Sequence, residues 1–207
     1  MKDIFSYNVD INKTAYMNWR TKKHNPIHNM IIMADGFIES SLILAEDAIN
    51  KNINKKADII IFPILFNVNH GIELYLKAIA WTLNILMENE YKIEGSHNIK
   101  QILSIVKSKV LKFEKEQEKR EQFLKMILNL EAYVRELSER IELAETKKKD
   151  NMDFSRYPFT NNYIPHFYIR TFDNIAIDLE NFILRFREIG KNLNLIASHY
   201  FYDYLEV

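Results

Sequence analysis

Apolar side chains recur three and four positions apart along most of the chain, the signature of helices that bury one stripe. From Ile27 to about Ile53 the series Ile31, Ala34, Phe37, Ile38, Leu42, Ala45 and Ile49 predicts a first core helix, opened by Asn25 as N-cap and Pro26 in the first turn. A second helix is predicted from Asp58 to about Glu88. It is apolar almost all round, which places it at the centre of a bundle, bent where Pro63 lacks a backbone donor. Ile99, Ile102, Leu103, Val106 and Val110 predict a helix over 97–110, with Ser96 able to cap it. The series Phe123, Met126, Leu130, Val134, Leu137 and Ile141 predicts the longest helix, with the charged stretch 112–122 as a solvated face and the cations at 147–149 closing it. A further helix is expected to start at Thr171, with Ile175, Leu179, Phe182, Phe186 and Ile189 on one face and Gly190 as its stop. An aromatic-rich helix over 192–205 would close the chain. Only 151–168 is long and without period.

Four Gly and four Pro in 207 residues are too few for the many turns of a sandwich or barrel, so the fold class is all-α: an antiparallel bundle of about five to seven helices with one long ordered loop. Nothing divides the chain, so 1–207 reads as a single domain with an N-terminal extension at about 1–25. With no Cys, disulfides, Cys-ligated metals and thiol nucleophiles are excluded together, and a cytoplasmic home fits best. The uninterrupted apolar runs fall short of the roughly 20 residues of a membrane span, so no membrane association is expected. Twenty-eight basic residues balance 28 acidic ones, which removes whole-molecule charge as an argument for nucleic-acid binding but not a local basic patch.

Candidate chemistry concentrates in three places. His70, Glu73 and Lys77 stand at i, i+3 and i+7, on one side of the otherwise apolar second helix. Charges there need partners, because an unpaired buried ion costs several kcal/mol. The plain reading is an internal Glu–Lys or Glu–Arg bridge that fixes helix register; the sharper one is a polar site. His97, at the next helix start, is a weak signal alone but gains interest beside that stripe. Arg156 presents a planar fork for carboxylate or phosphate, Pro158 stiffens the chain after it, and Tyr157, Phe159 and Tyr163 offer stacking faces. Either Arg156 bonds Glu73 and tacks the loop to the bundle, or it contacts a phosphate or base. His24 and His28 flank Pro26 and lack an obvious third ligand. No Gly-rich phosphate loop occurs, and neither a metal nor a cofactor is expected. The C-terminal Tyr200, Phe201, Tyr202 and Tyr204 suit a packing or dimer surface.

The succession His-Gly-Ile-Glu-Leu-Tyr-Leu-Lys (70–77), Gly-Ser-His-Asn-Ile-Lys-Gln-Ile-Leu (95–103) and Ser-Arg-Tyr-Pro (155–158) resembles prokaryotic HEPN-type helical domains. The resemblance covers about 69–158. It implies an antiparallel helical bundle, often dimeric, of toxin–antitoxin, abortive-infection and other phage-defence systems. Many such proteins are metal-independent endoribonucleases in which an Arg holds the scissile phosphate and a His, placed after four to six intervening residues, moves protons. No Arg here has a His at that spacing.

The expected function is therefore a HEPN-like, non-catalytic module that binds nucleic acid or nucleotide or regulates a defence system. Glu73, Lys77, Arg156, Tyr157 and Tyr163 would be its binding residues. RNA or a nucleotide, a protein from the same operon and a second copy of the chain are the expected partners. A second expectation is a metal-independent endoribonuclease using Arg156 with His166 or His97. A third is an assembly protein in which the polar centre is structural.

Overall fold

The structure, a computed structural model, describes residues 2–88, 97–142, 152–160, 162–171 and 173–206. Its helices are α1 (Pro26–Asn50), α2 (Ala57–Leu86), α3 (Ile99–Phe113), α4 (Gln117–Met126), α5 (Leu128–Glu142), the single turn α6 (Phe167–Arg170) and α7 (Leu179–Ser198). The last continues as a π-helical turn over His199–Leu205. No strand forms among the described residues, and one isolated antiparallel bridge joins Phe159 to Pro165. The all-α bundle is as the sequence predicts.

α1 starts as expected: Asn25 accepts the His28 backbone N–H at 2.9 Å and Pro26 takes the first turn. α2 is the axis of the molecule. It packs against α1, α3, α7 and the C-terminal π turn, and Ile64, Val68, Ile72, Tyr75, Leu76, Ile79 and Leu83 along it are essentially sealed from solvent. Burying each such side chain is worth about 1.5–3 kcal/mol, so this row supplies much of the drive for folding. Pro63 lies inside α2, in its second turn, and the helix continues through it.

Three boundaries differ from the sequence expectation. The helix predicted to be longest is divided. α3 ends at Phe113, α4 begins at Gln117 and α5 follows a break at Ile127, so α2, at 30 residues, is the longest. The division has a tertiary cause, because Glu114 turns into the bundle: its carboxylate accepts the Tyr200 hydroxyl at 2.9 Å and its carbonyl accepts Arg120 Nε at 2.8 Å. The helix expected from Thr171 starts instead at Leu179, where Asp178 accepts the Asn181 backbone N–H at 3.1 Å. Asp173–Asp178 is not helical, although Ile175 keeps the apolar spacing. Gly190 does not stop α7. It lets α7 press against α1, since a Cβ there would sit 2.7 Å from Ile38 Cγ2, and Gly71 of α2 meets the same isoleucine at 2.9 Å. Ser96 and the cations at 147–149 lie outside the described residues, and the cap of α3 is Asn98, which accepts the Gln101 N–H at 2.8 Å.

The N-terminal extension contains one short 3-10 turn, Ile11–Lys13, and is tied to α1 where Lys22 and Asn29 exchange hydrogen bonds of 2.8 and 2.9 Å. Ile4, Phe5, Val9, Met17 and Trp19 on it are exposed. α1 and α2 are each long and apolar enough by length and composition to cross a membrane. The uninterrupted runs hide this because single polar residues divide them. In the fold these two helices pack extensively on one another.

Candidate functional site

Phe66, His70, Glu73 and Lys77 follow one another at spacings of four, three and four along α2, which stacks them on one side of the helix. Glu73 is buried, at 8% exposure, and one of its oxygens, Oε1, takes both Lys77 Nζ at 2.7 Å and His97 Nδ1 at 2.9 Å. The register stripe and the His at the start of α3 therefore meet, across a separation of 24 positions in the sequence. A carboxylate can only accept, so His97 donates from Nδ1, and Nε2 is its second polar atom. The His97 side chain is 79% exposed, so that second nitrogen is open to a ligand.

His70 lies between two rings, stacked on Phe66 at 5.8 Å and edge-on to Phe37 at 4.5 Å. Burial holds its pKa below the usual histidine value; Lys77, Arg156 and His97 push it the same way and Glu73 opposes them. His70 is thus the neutral neighbour of a group of cations.

Arg156 comes from the aromatic loop. The 3-10 turn Met152–Ser155 buries Phe154, and the backbone N–H groups of Arg156 and Tyr157 both donate to the Asp153 carbonyl at 2.8 Å. This turn packs on α2 and lays the Arg156 guanidinium over the Phe66 ring at 5.6 Å, with the Tyr157 ring 5.4 Å away on its own segment. Among the described residues its carboxylate partner is Asp153, at 3.7 Å, and the side chain is half exposed. Arg156 does not bond Glu73, whose partners are Lys77 and His97. The loop is tacked down through an aromatic ring, which leaves guanidinium donors available.

The rest of the loop is a tight hairpin. Thr160 N–H donates to the Ile164 carbonyl at 2.8 Å and His166 N–H to the Pro158 carbonyl at 3.1 Å. Tyr163, at its tip, has φ of 58°, a left-handed conformation uncommon for an aromatic residue, and stacks on Phe159 at 5.5 Å while remaining exposed. His166 is buried, at 1% exposure, with its ring against Tyr168. Its ring is closed to solvent in this conformation.

The structure therefore gathers Glu73, Lys77 and His97 in direct contact and brings Arg156 and Tyr157 beside them through Phe66 and His70. Tyr163 belongs to the hairpin tip. Phe66 and Phe37 were missed by the sequence reading because they look like core; the available signal was that Phe66 stands four residues before His70 on the same stripe. Asp153 was missed as the partner of Arg156. Among the described residues no group of three or more His, Asp or Glu is placed to hold a metal ion. Comparisons with protein-family models, with curated proteins and with solved structures found no match.

Proposed function

We propose that the chain is a HEPN-like module of a prokaryotic defence or toxin–antitoxin system, cytoplasmic and homodimeric, that binds a phosphate-bearing ligand, RNA or a nucleotide, on the α2 face where Lys77, His97 and Arg156 gather. One observation carries this reading. The Arg156 guanidinium lies over the Phe66 ring, 5.6 Å from its centroid, and is half exposed, with a single carboxylate contact among the described residues, at 3.7 Å, so its fork keeps donors that can take phosphate oxygens. Tyr157 supplies an exposed ring on which a base can stack, and Tyr163 a second one at the hairpin tip. Glu73 is consumed by Lys77 and His97, so it orients the site and does not repel the ligand.

The test is fluorescence anisotropy with a mixed-sequence RNA in chelator. Binding should weaken steeply as salt rises and fall about tenfold in Arg156→Ala, as loss of a charged phosphate contact does. Salt-independent binding, or wild-type affinity in the folded variant, rejects the reading.

The Glu73–His97 pair favours one second reading, a metal-independent endoribonuclease. The carboxylate fixes the His97 tautomer and leaves Nε2 to take the proton of a ribose 2′-hydroxyl as its oxygen attacks the adjacent phosphorus. Arg156 would hold the non-bridging oxygens, and the 5′-oxygen would leave with a proton from solvent, giving a 2′,3′-cyclic phosphate and a 5′-hydroxyl end. RNA cleavage in chelator that is lost in both His97→Ala and Arg156→Ala supports it; an intact RNA pool after long incubation with folded protein rules it out.

A further inference from the structure

At the other functional candidate of the fold, a cavity of about 450 Å³ lies between α4 and the last turns of the chain, beside a carboxylate that the protein leaves under-compensated. Glu114 lines it and is only 4% exposed. Among the described residues, the Tyr200 hydroxyl at 2.9 Å is the one donor to its carboxylate, and no Lys or Arg comes within ion-pair distance of it. The nearby cations are engaged elsewhere: Arg120 Nε donates to the Glu114 carbonyl at 2.8 Å, Lys115 Nζ to the Lys112 carbonyl at 3.1 Å, and Lys119 pairs with Glu116 at 3.0 Å. One neutral hydrogen bond returns far less than the removal of a carboxylate from water costs. The second carboxylate oxygen has no protein donor among the described residues, so a partner, water or ligand, would reach it from the cavity.

The walls say what kind of partner fits. Phe123, Tyr200 and Tyr202 present aromatic surface, which attracts cations. Asp203 adds a second carboxylate, one oxygen of which receives His199 Nδ1 at 2.8 Å. Lys119, the one Lys or Arg lining the cavity among the described residues, is paired with Glu116. An anion would meet Glu114; a positively charged nitrogen would complete it.

We propose that this cavity is a binding site for a small organic cation, a primary ammonium or guanidinium on a short alkyl chain, with Glu114 as the buried anchor, the tyrosine and phenylalanine rings as walls and Asp203 at the second carboxylate position. The site uses none of the groups on the α2 face, so it stands or falls separately from the phosphate reading.

The experiment is isothermal titration of the full chain with putrescine and with agmatine. The expected result is one saturable site per chain for at least one of the two amines, weakened at least tenfold in Glu114→Gln and severalfold in Asp203→Asn. Gln keeps the shape of Glu114 and an acceptor for Tyr200, so the fold is expected to survive; should it not, Gln122→Trp, on exposed α4 surface lining the cavity, blocks the site without touching the carboxylate. No saturable binding of either amine to the wild type, or wild-type affinity in folded Glu114→Gln or Gln122→Trp, overturns the proposal.

Discussion

Two polar clusters sit on α2 only two residues apart in sequence, and they are built on opposite principles. Tyr75 donates its hydroxyl to Asp35 of α1, and Asn194 of α7 donates to both Asp35 oxygens, at 2.9 and 3.1 Å, and to the Tyr75 oxygen at 3.2 Å. Three helices are pinned and the groups satisfy one another. At Glu73, one carboxylate faces Lys77 and His97, with Arg156 and His70 close by. That cluster carries more hydrogen-bond donors than its carboxylates use, since Arg156 meets only Asp153 among the described residues, at 3.7 Å. A network of polar groups that satisfy one another across three helices specifies packing, whereas unused guanidinium donors beside an exposed ring are what a phosphate ligand would complete.

The comparison can be broken in four places. The largest effect is expected from Glu73→Ala, which strands a mostly buried ammonium at Lys77 and should cost about 3 kcal/mol in urea unfolding. The double variant with Lys77→Met should recover most of that loss, and a double variant as unstable as the single would show that the ion pair is not the reason. Next is Arg156→Ala, for which RNA affinity should drop about tenfold, equivalent to about 1.4 kcal/mol, while unfolding stability moves by less than about 1 kcal/mol, the worth of an exposed cation–π contact. Equal losses in both would make Arg156 a structural tack. Tyr75→Phe should then cost about 1 kcal/mol of stability and leave RNA affinity untouched, because Asp35 keeps its Asn194 bonds. A change in affinity there would show that the two clusters are coupled.

The smallest effect concerns pH. His70 has a folded pKa below its ordinary value of 6.5, chiefly through burial, so the folded form binds its proton less readily than the unfolded chain does. Its contribution to stability is fully present above about pH 6.5 and is lost as pH falls through that value toward the depressed one. Wild-type stability should therefore decline from pH 7 to pH 5 more than that of His70→Phe, which preserves the ring between Phe37 and Phe66. Parallel profiles for the two proteins would remove His70 as a titrating member of the cluster.

Much of the architecture was legible because helical periodicity is a local property. The stripes of α1, α2 and α3, the Asn25 cap and the central place of α2 all follow from which side chains recur at three and four. The breaks were not legible. Glu114 leaves the helical path because Tyr200, 86 positions away, offers it a hydrogen bond, and charge pattern alone favoured a continuous helix. Gly190 reads as a terminator by composition, yet its lack of a side chain serves the approach of α7 to Ile38. The site divides in the same way. That Glu73 and Lys77 pair follows from i, i+4 spacing, but that His97 joins them, that Arg156 chooses Phe66 over Glu73 and that His166 is sealed away depend on how the aromatic loop folds back on α2.

The sequence by itself determined an all-α bundle around one apolar helix and a stripe of ionisable groups that would need partners, because helix geometry fixes which residues share a face whatever surrounds them. The tertiary structure alone decided who those partners are. Burial and hydrogen bonding between segments far apart in the chain assigned Glu73 to Lys77 and His97, left the Arg156 fork half open over an aromatic ring, and placed Glu114 beside a cavity with its carboxylate bonded to Tyr200.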